Sequence, residues 1–167
     1  MSSCRRRRPV AVALSGVVLV GLASACSDDA GPERDDAGAI VAAGDESVFA
    51  LSVGDCVVPP DALDTADVEQ LRAVPCTEEH THEVYATATY TASDVYPGEA
   101  ELQAFADGAC LDNFEDYVGI AYEESSMRFS YLFPSFPSWQ DGEDRQVVCF
   151  IVSTDEPMTT SAKGLAR

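Results

Sequence analysis

Basic side chains are scarce in this sequence: ten Lys and Arg stand against 29 Asp and Glu among 167 residues, with only two His. Four of the ten, Arg5 to Arg8, form one block near the N-terminus. The rest of the chain therefore sets six basic residues against 29 acids, a formal net charge of −23. A surface this acidic is repelled by nucleic acid and by anionic headgroups, so neither is expected as a partner and the domain should not lie flat on a membrane. Long apolar runs are missing as well. Val10 to Leu22 is charge-free and almost wholly apolar but has 13 residues, short of the roughly 20 that a membrane-spanning helix needs. Also absent are G-x-S-x-G, H-E-x-x-H, the phosphate-binding loop and G-x-G-x-x-G, the spacings that place a nucleophile, a metal or a dinucleotide. Asp141-Gly142-Glu143-Asp144 does not supply the Asp-x-Asp-x-Asp-Gly of a calcium loop. No catalytic residue, cofactor or metal is expected, and the chain is not read as an enzyme.

What the sequence does have begins with export. Arg5–Arg8, the apolar run and the small residues Ala23-Ser24-Ala25 before Cys26 follow the basic, apolar, small order of a secretory signal. Ala23 to Cys26 resembles a bacterial lipobox. The resemblance implies cleavage before Cys26 and acylation of its sulfur, with palmitate-like chains anchoring the protein to the outer face of the cell membrane. Two such chains anchor stably where one barely does. Residues 1–25 are thus read as a signal peptide and 26–46, acidic and without an aromatic residue, as a flexible tether that cannot bury a core.

Cys56, Cys76, Cys110 and Cys149 remain, an even number in an exported domain, and read as two disulfides. Residues 47–154 carry the periodicity of a fold. Phe49, Leu51 and Val53 alternate as in a strand, with Gly54-Asp55 as a candidate bulge. Leu71 to Cys76 reads as a second strand. In a third, Val84, Ala86, Ala88 and Tyr90 share one face. After Tyr96-Pro97-Gly98, the series Leu102, Phe105, Ala109, Cys110, Phe114, Tyr117 and Val118 steps by three and four, which predicts a helix ended by Gly119. Phe129, Tyr131 and Phe133 alternate in a fourth strand. A loop with Pro and Trp139 follows, and Val147 to Val152 is continuously apolar, as a central strand buried on both faces would be. Residues 155–167 read as a loose tail. The expectation is an α+β domain: a mostly antiparallel sheet of about five strands with one main helix across one face. Cys110 on the apolar face of that helix and Cys149 in the central strand would meet. Of three possible pairings, Cys56–Cys76 with Cys110–Cys149 is favoured.

His80, His82, Tyr96, Trp139 and Arg145 are the candidate binding residues. His80 and His82 could hold one ion weakly. The plainer reading is a polar pair at a strand entrance, with His80 hydrogen-bonded to a loop. Trp139 either packs over an edge of the core or stands exposed as an anchor for a partner or a glycan, since aromatics and Arg are enriched at binding hot spots. Arg145, on so acidic a chain, is expected to have an internal carboxylate partner. A deep cleft lined by Trp139, Tyr96 and His80 would indicate a small ligand, and a flat apolar patch a protein partner.

Val53-Gly-Asp-Cys56, Val74-Pro-Cys-Thr-Glu-Glu-His80, Glu83-Val-Tyr-Ala86, Tyr96-Pro-Gly98, Cys110, Phe114-x-x-Tyr-Val-Gly119, Pro137-x-Trp139 and Asp144-Arg145 before Cys149 together resemble the septum-formation domain family of actinobacterial membrane proteins and lipoproteins, over about residues 49–152. The family usually reads Gly-Asp-Arg where this chain inserts Glu143. The resemblance implies a disulfide-bonded, non-catalytic envelope domain near the division or wall machinery, with an envelope protein or a wall component as partner. The alternatives are a solute- or glycan-binding lipoprotein and a small envelope hydrolase.

Overall fold

The architecture follows from one strand that is apolar on both sides. The computed structural model describes residues 31–59, 68–154 and 156–167. The signal segment, Cys26 and residues 60–67 lie outside them. In chain order the elements are β1 (Glu33–Arg34), β2 (Ile40–Ala42), β3 (Gly44–Ser47), β4 (Cys56–Val58), β5 (Gln70–Val74), β6 (His82–Thr89), α1 (Glu99–Val118), β7 (Arg128–Leu132), α2 (Phe136–Asp141) and β8 (Gln146–Val152). β1 and β2 pair with each other. The other six strands form one antiparallel sheet in the order β3-β5-β4-β6-β8-β7. Because β8 lies inside the sheet, both of its faces must be covered. Val147, Cys149 and Ile151 face α1, and Val148 and Phe150 face the opposite side with Val57, Leu71 and Ile40. This is the α+β class that the periodicity predicts, with a sixth strand in the main sheet.

α1 begins after Pro97-Gly98, with Glu99 and Glu101 in its first turn, where carboxylates meet the positive end of the helix dipole. Gly119, at φ 94°, ends it in the left-handed conformation and bonds Glu115 O. Leu102, Ala106, Cys110, Phe114, Tyr117 and Val118 are its buried stripe. Both favoured disulfides are present: Cys110–Cys149 staples α1 to β8, and Cys56–Cys76 joins β4 to the end of β5.

Four expectations are corrected. First, the tether is folded from Glu33 onward. Arg34 donates to both Asp55 carboxylate oxygens at 2.7 and 2.9 Å and to Glu46 at 3.0 Å, Ile40 is buried, and β3 is a sheet strand. The acidic composition hid this because one half-buried arginine pairs with two of the acids. Second, residues 156–167 are docked. Met158 and His80 exchange backbone bonds, and Gly164 N and Ala166 N satisfy the Tyr117 and Val118 carbonyls, which the end of a helix leaves without partners. Third, Phe49, Leu51 and Val53 do not form a strand. Ser47 caps a 3-10 turn over Val48–Ala50, and Phe49 is 60% exposed. Gly54-Asp55 belongs to a turn closed by Asp55 N on Ser52 O. Fourth, the bulge lies in β6, between Val84 and Ala86. It sends Val84 to the side opposite α1 and turns Tyr85 and Ala86 toward the helix, so Val84 and Ala86 do not share a face.

Candidate binding groove

α2 stands where the sequence reads as a loop. Ser135 caps it, Ser138 bonds back to the Ser135 N–H in a reciprocal capping box, and Pro137 sits in its first turn, where the missing N–H costs nothing. The helix turns Trp139 inward to 2% exposure. The indole N–H donates to Asp94 O at 3.2 Å, and the ring meets Tyr90 and Tyr96 edge-on at 5.9 and 5.6 Å. The Arg145 guanidinium lies 3.5 Å from the indole centroid and donates to Trp139 O and Asp144 O. The expected carboxylate partner of Arg145 is therefore replaced by a π face and carbonyls. The plainer reading of Trp139 is the right one: it is a core residue and offers no anchor. A hydrogen bond from Tyr90 to Glu101 ties this cluster to α1 and raises the pKa of the Tyr90 phenol.

The histidines lie elsewhere. His80 is 1% exposed, and its Nδ1 is 2.8 Å from Glu78 O, the loop contact that the plainer reading anticipates. His82 is half-buried in β6, edge-on to Phe150 at 6.0 Å, and lines a small pocket of about 80 Å³ with Leu71 and Leu132. Burial pushes its pKa down to about 4. Beside it, Glu83 is wholly buried and accepts from Tyr117 Oη at 2.6 Å and from Ser161 Oγ and Ala162 N at 2.5 Å. Burial first, and then the bond to Glu83, raise the pKa of the Tyr117 phenol. Glu83 also lies close to the Cys56 and Cys76 sulfurs, but both are tied up in the disulfide, so the group does not fit a metal.

Trp139, Tyr96 and His80, whose shared cleft would have indicated a small ligand, therefore do not line one cleft together. A larger groove of about 1000 Å³ opens on the sheet side opposite most of α1 and reaches the end of β7. Val48, Phe49, Val68, Leu132, Phe133 and Val148 give it an apolar lining. Tyr96, which burial and the Glu99 charge raise in pKa, joins them from the α1 side. Glu69, Glu99, Asp141 and Asp144 line its rim, and among the described residues none that lines it is Lys or Arg. Among the described residues no ion pair involves these four acids. Of the five candidate binding residues only Tyr96 lines this groove. Phe49, Glu69, Glu99 and Asp141 were missed because the groove forms where the Val48–Phe49 turn, β7, β8 and α2 meet, and no local spacing announces such a meeting.

A family model described as Septum formation matches residues 33–165. Its span covers β1 to β3 and most of the docked C-terminal segment, the two regions that sequence reading left outside the domain. No match is found among curated proteins or among solved structures.

Proposed function

Because the chain belongs to the septum-formation family, we propose that it is a non-catalytic domain, lipid-anchored through Cys26 on the outer face of the cell membrane, that serves septum formation by binding another envelope protein. Export is supported by the order of residues 1–26 and by two disulfides, which persist in oxidising compartments. The binding role rests on one observation: a concave groove with an apolar lining and a polar rim, the form that recognition sites take. The non-catalytic reading is supported by how the reactive side chains are used. His80 is enclosed, Arg145 and Trp139 hold each other, and Glu83 fastens the C-terminal segment.

The test is the position of the full chain in dividing cells, carried as a fusion to a fluorescent protein. Enrichment at septa is expected, with Cys26→Ser moving the chain from the membrane to the soluble fraction. Uniform distribution around the cell contradicts the septal role. Retention of Cys26→Ser in the membrane contradicts lipid anchoring.

A further inference from the structure

The rim of the groove has a charge pattern that family membership does not explain. Glu69, Glu99 and Asp141 are exposed around an apolar floor, and Asp144 is fixed among them by its bonds to Ser138 and Gln146. We infer that the groove receives an extended, basic segment of a protein partner, with Lys or Arg side chains against these carboxylates and alternate apolar side chains against Phe49, Leu132 and Val148. This rests on the reading of the domain as an envelope binding module and names the chemistry of what it binds.

Three observations select this occupant. At about 1000 Å³ the groove is far larger than a metal ion or a simple amine would fill. Its floor is apolar, so a ligand made only of hydroxyls or charges would strip water from that floor without filling it. The charged side chains described on its rim are all acidic, so anionic wall polymers and anionic lipid are repelled, while a cationic segment is attracted and oriented. The strand beside it adds a backbone element. Among the described residues β7 is the last strand of the sheet, paired only with β8, and lends Tyr131, Leu132 and the following Phe133 to the lining, a position where an extended peptide can add as a further strand.

The probe is a fluorescent heptapeptide of alternating Lys and Leu, titrated by anisotropy against the full chain in detergent micelles, with the Glu and Leu counterpart as control. The Lys peptide should bind, and its affinity should fall at least about tenfold between low and moderate salt. Neutralising the rim by Glu69→Gln, Glu99→Gln and Asp141→Asn together should weaken binding about tenfold or more. Neutralising Asp112, Asp116 and Glu123, three exposed acids outside the groove, should change it less than about twofold. Equal weakening by the two triple variants, equal binding of the Glu peptide, or no binding of the Lys peptide overturns the inference. Septal localisation reports separately on the parent reading. A chain that still reaches septa but ignores the Lys peptide loses this inference alone.

Discussion

At the scale of single residues, a few buried or half-buried polar groups carry connections that composition conceals. Arg34 is the clearest. Asp55 has 4% of its side chain exposed and receives both arms of the guanidinium as well as Ser52 N, and this environment raises the pKa of Arg34 further. Removing one partner of a buried pair strands the other charge. Arg34→Ala should therefore lower unfolding free energy by about 2 kcal/mol, read from the urea midpoint; an unchanged midpoint would mean that β1 is not fastened there. His82 makes a pH-dependent contribution. Its folded pKa of about 4 lies below the ordinary 6.5, so between those values the unfolded chain binds more protons. Stability from keeping His82 neutral is complete above about pH 6.5 and drains away as pH falls toward 4. The loss should reach about 1–2 kcal/mol, since water screens its exposed part. Relative to wild type, His82→Gln should flatten the fall of the urea midpoint between pH 7 and pH 4.5. Parallel curves would place the acid sensitivity elsewhere.

At the scale of elements, α2 depends on its cap. Ser135 accepts the Ser138 N–H and receives the reciprocal bond, so Ser135→Ala should cost about 1 kcal/mol. It should also loosen Trp139, visible as a red shift and quenching of its fluorescence, since Trp139 is the chain's one tryptophan. Unchanged emission would show that packing alone holds the helix. This element also shows where sequence reading stops. α1 is legible because 20 residues carry one apolar stripe between a Pro-Gly start and a Gly stop, and β8 because its run is apolar on both faces. α2 has six residues, too few for a period to emerge, and Pro134 just before it with Pro137 inside it suggests a loop, although Pro137 suits a first turn. The β6 bulge inverts the face of Val84 with no glycine to mark it. β1 and β2 are short strands whose partners are chosen by Arg34 and Ile40 rather than by alternation.

At the scale of the whole molecule, two disulfides divide the work. Cys110–Cys149 spans 39 residues and locks helix to sheet; Cys56–Cys76 spans 20 and closes the β4–β5 connection. Loop-closure entropy assigns each about 3–4 kcal/mol. Cys110→Ser with Cys149→Ser should lower unfolding free energy by about that amount, and a melting temperature unchanged from wild type would remove the bridge from the stability account. The pairing was legible in the sequence because both partners sit on long periodic elements that had to pack together. The groove was not, since its lining comes from distant stretches of the chain brought together only by the fold. The domain also proves larger at both ends than alternation alone suggests, because the C-terminal segment answers the open carbonyls of α1 and the hydrogen-bonding capacity of Glu83.

By our proposal, this groove is where the domain meets a protein at the septum. The most direct measurement is in-cell photo-crosslinking with a photoreactive amino acid at Phe49, exposed in the groove, and in a second strain at Leu111, exposed outside it. An adduct is expected from Phe49 alone, mapped by mass spectrometry to a Lys- or Arg-bearing segment of a septal protein and lost when Glu69, Glu99 and Asp141 are neutralised. The same adduct from both positions, or an adduct from Leu111 only, would contradict the proposal.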